Sequence, residues 1–303
     1  MVQKNHLKTE LKKDYDKCNA NGYFDSFLDN VYGGKMDQKF QKMFDNGSGN
    51  ELHSKAEAIH SSSMLAYNFF HCISQEHPFR LKGVKYTKVY FEVQMKTLIN
   101  SNRPANMDVV LLDEENKNII FIESKFTEYL ETKDWRLSDK YTEDNAFNKG
   151  IDWKSIIEGF KISINGYRYK EGIKQLTTHL FGIANLCDCE AREWFNEHNK
   201  FSIDESLNNY SSVKFINLIF EPQKDVFKKE YESYKCYQSL FKTVQNVIKG
   251  KIMIGRNPLE IIWMSYSELW NNKNIEGINK IDKGGLVKYL EKRYMRFAEG
   301  AEQ

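Results

Sequence analysis

Two short apolar runs, Met107 to Leu112 and Ile119 to Phe126, stand on either side of Glu114-Glu115-Asn116-Lys117, and no other feature restricts the folding of this chain so tightly. The four intervening residues have the composition of a hairpin loop, so the runs are expected to pair antiparallel. Closing the loop with Asp113 opposite Asn118 sets Asp108 opposite Glu123. Directly opposed residues on one face have Cβ atoms about 4.5–5.5 Å apart, and like charges so placed repel. The two-residue period of a strand adds Lys125 to the face of Glu123 and turns Ile122 and Ser124 the other way. Two acids and an amine thus converge at one strand end. A divalent cation satisfies such a pair, since Mg²⁺ takes one or two carboxylates and completes its shell with water and substrate phosphate. Without one, neutralising Glu123 is expected to stabilise the fold. Phosphodiester hydrolysis uses this equipment: a metal to polarise the phosphoryl oxygen and activate water, and a cation to offset developing charge. A lysine between carboxylates keeps its proton, which favours an electrostatic, water-positioning role for Lys125.

The rest of the pattern alternates helix and strand. Residues up to about Asp45 read as helical, with Phe24, Phe27, Leu28 and Val31 at helical spacing, and Asp45 to Asn50 reads as a loop. A second helix is expected from an N-cap at Ser54, with Glu57 as its capping-box partner, to about Ile73. Val89, Phe91, Val93 and Met95 alternate with polar residues and predict a half-buried strand. Later come a helix over Gly172 to Leu186, a strand over Val213 to Phe220, a helix over Tyr237 to Ile248, a strand over Leu259 to Met264 and a helix over Gly285 to Phe297. This order predicts a mixed α+β fold, a mixed central sheet flanked by helices. Four prolines, no Gly/Ser-rich linker and no repeat argue for one elaborated domain over 1–303. Its core is placed at about 50–265, with a helical extension 1–49, an insertion 127–171 and a C-terminal helical segment 266–303.

Charge and composition narrow the function. A formal net charge of +2 supplies no broad basic field, so contact with nucleic acid must come from a local patch. The insertion carries Tyr129, Trp135, Arg136, Lys140, Tyr141, Trp153, Tyr167 and Arg168, residue types that stack on bases and contact phosphates, or that pack a small core. No stretch has the length and apolarity of a membrane span, and Met1 to Lys17 has no signal-peptide pattern, which predicts a soluble cytoplasmic protein. Five cysteines without framework spacing point to reduced thiols, and Cys187-x-Cys189 lacks the second Cys/His pair of a zinc site. No G-x-x-x-x-G-K-[ST] loop is present for a built-in ATPase.

Met107-Asp108-Val109-Val110 followed by Ile122-Glu123-Ser124-Lys125 resembles the D…ExK signature of the PD-(D/E)xK phosphodiesterase superfamily, with Asn106 where that family often has a proline or small residue. His60 to Phe70, Glu123 to Glu128 and Gln175 to Asn185 further resemble a bacterial restriction-endonuclease-like family. The resemblance covers about residues 50 to 265. It implies a core of helix, three-stranded meander, helix and strand, and an Mg²⁺-dependent endonuclease (with Mn²⁺ as a substitute) acting on DNA, with a homodimer by analogy to double-strand cutters. The metal set it implies is Asp108, Glu123 and Ser124, with Lys125 catalytic, Glu57 assisting the metal through water and Gln175 bordering the site. Glu128 is either a turn acid or a ligand to a second metal, and His179 is read first as a core histidine. A nuclease fold that only binds nucleic acid, and a nuclease directed at RNA, are the competing readings.

Overall fold

The computed structural model describes residues 6–301 apart from 14, 16, 48–51, 53, 54, 102, 132–136 and 168. A five-stranded sheet forms from Lys88–Met95 (β1), Ala105–Asp113 (β2), Asn118–Lys125 (β3), Ser212–Ile219 (β4) and Glu260–Ser265 (β5), ordered as in the sequence. The first three strands are an antiparallel meander, whereas β4 and β5 add parallel to β3. Parallel neighbours require crossovers, and two helical ones supply them. Trp153–Ser163 (α4), Glu171–Asn185 (α5) and Cys189–His198 (α6) lie between β3 and β4, and Lys228–Ile248 (α7) lies between β4 and β5. The remaining helices are His6–Lys13 (α1), Gln38–Asn46 (α2), Ser62–Phe70 (α3), Tyr266–Asn271 (α8) and Gly285–Arg293 (α9).

Because side chains alternate across a sheet, the two faces carry separate cores. On one, Phe121 and Phe215 pack with Trp153, Phe160, Leu180 and Phe241 from α4, α5 and α7. On the other, Ile120, Ile122 and Leu218 pack with Phe40, Met64, Phe69 and Leu290 from the N- and C-terminal helices. The β3 strand is buried at every residue, as its near-continuous apolar sequence requires. No described helix is long and apolar enough to cross a membrane.

Two sequence-based expectations fail at the N-terminal side. Phe24 to Val31 does not form an α-helix: short 3₁₀ turns at Phe27–Asn30 and Tyr32–Gly34 replace it. Asn68 is the cause, since its amide donates to the Asn30 carbonyl at 2.9 Å and accepts from the Tyr32 N–H at 2.8 Å, groups that a continuous helix would pair internally. The next helix starts at Ser62, where Ser61 accepts from the Met64 N–H, not after Ser54, which lies outside the described residues. Its expected first turns are unwound because Asn30 donates to the carbonyls of Ala56 and Ala58, and Arg293 donates to that of Ile59 at 2.8 Å. Local capping propensity is overridden by these long-range bonds. Conversely, α7 begins two turns before Tyr237 because Lys228 to Glu232, though mostly charged, continue the helix, and Glu230 accepts the N–H groups of His6 and Leu7.

Candidate active site

The hairpin closes with Asp113 opposite Asn118 and continues through Val109 opposite Ile122, the register expected from the loop. Beyond that pair the main-chain ladder stops, and the Ser124 N–H donates instead to Asp108 Oδ2 at 2.6 Å. One carboxylate oxygen thereby takes the place of a strand carbonyl, which fixes Asp108 beside Glu123. On the other side, Phe91 pairs with Val109 and Val93 with Met107, so Glu92 sits opposite Asp108 with no pair between them. Glu92 has φ 49°, and the alternation changes phase here: Val93 and Met95 face the α5 core, whereas Val89 and Phe91 face the other. Such local disruptions re-aim side chains at the end of a ladder. Glu92, Asp108 and Glu123 thus form one row over three adjacent strands, continued by Asn217, which pairs with Glu123 across β3 and β4.

The electrostatics differ sharply along this row. Glu123 and Lys125 are only 5 % and 3 % exposed, and the Lys125 ammonium bonds to Glu123 Oε1. Burial opposes the charge of Lys125, but Glu123, with Tyr169, Glu128 and Asp108, outweighs it and holds the ammonium well above the usual lysine value. Asp108 is pushed well above the usual carboxylate range by burial, then by the charges of Glu123 and Glu92, against the pull of Lys125. Asp108 also keeps a partly exposed surface, so water screens part of that rise. The expected repulsion therefore falls on Asp108, while Glu123 is already paired. This corrects the expectation that neutralising Glu123 would stabilise the fold.

Helix α5 roofs the acids. His179 is 4 % exposed, with Nδ1 3.5 Å from Glu123 Oε2, and burial lowers its pKa against the pull of Glu123. Gln175 lies one turn earlier on the same face, and its Oε1 is buried without a hydrogen-bond partner. The helix can approach this closely because residue 182 is glycine: a methyl there would lie 2.7 Å from Met95 Cβ. Asn185 fastens the C-terminal turn by donating to the carbonyls of Lys96 and Thr97. Gly182→Ala is accordingly expected to push α5 off β1, lowering stability by about 1–3 kcal/mol despite the better helix propensity of alanine. A urea melt checks this, and an unchanged midpoint would show that the close approach is dispensable.

The other candidates sit as follows. Glu57 lies in the turn before the Ser62–Phe70 helix, its carbonyl accepting from Phe24, and makes no hydrogen bond or ion pair with Asp108, Glu123 or Lys125. The Ser124 hydroxyl bonds to the Ser62 carbonyl and the Tyr266 hydroxyl on the opposite face, which leaves only its main chain toward Asp108. Glu128 Oε2 accepts the N–H groups of Phe126 and Thr127, the contacts of a turn acid. Trp135, Arg136 and Arg168 lie outside the described residues. Tyr129 and Trp153 are buried, with Trp153 stacked on Phe181 at 3.7 Å, so these two build a core and are not free to stack on bases.

The residues suit a hard divalent cation in kind. Among the described residues no three His, Cys, Asp or Glu side chains have already converged on one point. An Mg²⁺-type site, however, needs only one or two carboxylates besides water and phosphate. Asp108 and Glu123 are two such carboxylates on adjoining strands, and the unrelieved charge at Asp108 is what a cation would relieve.

A mixed five-stranded sheet flanked by helices, with an Asp and a Glu-x-Lys at the end of its meander, defines a restriction-endonuclease-like fold. A family model described as "Restriction Endonuclease associating with ARP" matches residues 3–295. The chain belongs to that family. No curated protein and no solved structure matches it.

Proposed function

We propose that this protein is a metal-dependent endonuclease that hydrolyses DNA phosphodiester bonds as a restriction or defence enzyme. The observation that carries the reading is the placing of Asp108 and Glu123 on neighbouring strands with Lys125 bonded to Glu123. Family membership supports the nuclease class. Asp108, Glu123 and the Ser124 carbonyl are the groups that would hold the ion. When bound, the ion supplies Lewis acidity for the phosphoryl oxygen and lowers the pKa of an attacking water.

The chain's own residues do the remainder. Lys125, kept protonated, orients the water and offsets charge that develops on the phosphoryl oxygens. The β3 strand and the α5 roof exclude bulk water, which strengthens each of these interactions. Asp108 is the most open of the three catalytic groups, so the phosphate approaches from its side. The family description names association with ARP, and we extend that association to this chain as a partner of the nuclease.

The test is incubation of the purified protein with supercoiled plasmid, linear duplex, single-stranded DNA and RNA, each with Mg²⁺, Mn²⁺ or EDTA. Metal-dependent nicking or cleavage of DNA is expected. Cleavage confined to RNA would reassign the substrate, and binding without cleavage in either metal would reduce the protein to a nucleic-acid-binding module.

A further inference from the structure

His179 is 4 % exposed, and its Nδ1 is buried without a hydrogen-bond partner. This nitrogen lies 3.5 Å from Glu123 Oε2. Lys125 does not serve that oxygen, because its ammonium is engaged on the other one, Oε1. A buried ring nitrogen left without a hydrogen-bond partner beside a carboxylate calls for one.

A divalent metal ion supplies that partner, since imidazole and carboxylate are common donors to one ion. Two cis bonds of about 2.1 Å at an octahedral ion hold their donor atoms about 3.0 Å apart, so the 3.5 Å between Nδ1 and Oε2 needs only a small closure on binding. We propose that His179 is a metal ligand, its Nδ1 and Glu123 Oε2 taking one divalent ion between them, and that this nitrogen makes the site prefer a Mn²⁺-class transition metal over Mg²⁺. The proposal rests on the metal-dependent reading above and names the ion for it. Mg²⁺ favours oxygen donors and parts reluctantly with its water, whereas imidazole suits first-row transition metals.

The test uses the full chain, freed of metal, with Mn²⁺ and Mg²⁺ as probes in calorimetric titrations. Wild type is expected to bind Mn²⁺ at least about tenfold more tightly than Mg²⁺, or about 1.4 kcal/mol. His179→Asn, whose amide oxygen can occupy the place of Nδ1, should bring the two affinities together, and His179→Gln provides a second variant should the first fold poorly. Electron spin-echo spectra of bound Mn²⁺ should show modulation from a ring nitrogen in wild type and none in either variant. Equal affinities in wild type, or a spectrum without nitrogen modulation, would overturn the histidine ligand while leaving an all-oxygen metal centre intact. Failure of wild type to bind either ion would instead remove the metal centre itself, and the proposal with it.

Discussion

Lys125→Met is expected to lower the rate of metal-dependent DNA cleavage by at least about 10²–10³-fold while leaving metal binding in place. The substituted side chain keeps the volume of a residue that is 3 % exposed, so the loss is one of charge and not of packing. Removing a single preorganised group that stabilises transition-state charge costs a factor of that size. The same substitution strands Glu123, because its nearest cation is gone. Breaking one side of a buried ion pair costs about 3–5 kcal/mol, so the metal-free variant should melt well below wild type. A divalent ion supplies the missing positive charge, and the stabilisation it gives should therefore be larger in the variant than in wild type. Single-turnover cleavage measured well below the melting temperature, paired with melting curves with and without Mn²⁺, checks both halves. A variant that cleaves at the wild-type rate would remove Lys125 from the mechanism.

Asp108→Asn is expected to do the reverse: stabilise the metal-free protein and remove most of its response to metal. The asparagine carbonyl can still accept the Ser124 N–H that Asp108 Oδ2 now accepts. What disappears is the charge that burial, Glu123 and Glu92 oppose. The sign of the pH effect follows from that opposition. The folded protein holds the Asp108 proton more tightly than the unfolded chain does, so this stabilisation is complete below the ordinary aspartate pKa of about 3.9 and is lost as pH rises through the higher folded value. In EDTA, wild type should thus lose stability with rising pH relative to Asp108→Asn, and the gap between the two melting temperatures should widen toward pH 8. Each kcal/mol corresponds to roughly 2–4 °C for a chain of this size. Excess Mn²⁺ should raise the wild type by about 2.7 kcal/mol at a hundredfold excess over Kd and the variant by little. A gap that does not change with pH would contradict the charge assignment at Asp108.

How much of this could be read from the sequence depends on how local each cause is. The β2–β3 register was legible because a four-residue loop and a strict two-residue period leave one pairing that buries both apolar runs. That register placed Asp108, Glu123 and Lys125 together without any knowledge of the rest of the fold. The ion pair that neutralises Glu123 was not legible, since it depends on Lys125 being folded back under α5 and the tyrosines. Glu92 was missed for a related reason: it occupies an ordinary polar position in the alternation of β1, and only the pairing of β1 with β2 brings it opposite Asp108. His179 did carry a signal, because Gln175 and His179 form a polar pair four residues apart on an otherwise apolar face of α5. Sequence alone reads it first as a core histidine, because a histidine inside an apolar helix is usually a hydrogen-bonded core residue, and a helical periodicity does not say which strand it meets. The unwound turns before Ser62 were illegible for the same reason, as Asn30 and Arg293 reach them from distant parts of the chain.

The most direct test of the central claim is anomalous diffraction from crystals of the protein soaked in Mn²⁺. A strong peak is expected within ligand distance of the Asp108 and Glu123 carboxylates in wild type, absent from Asp108→Asn crystals treated in the same way. A fully occupied Mn²⁺ elsewhere in the molecule, with none at Asp108 and Glu123, would contradict it.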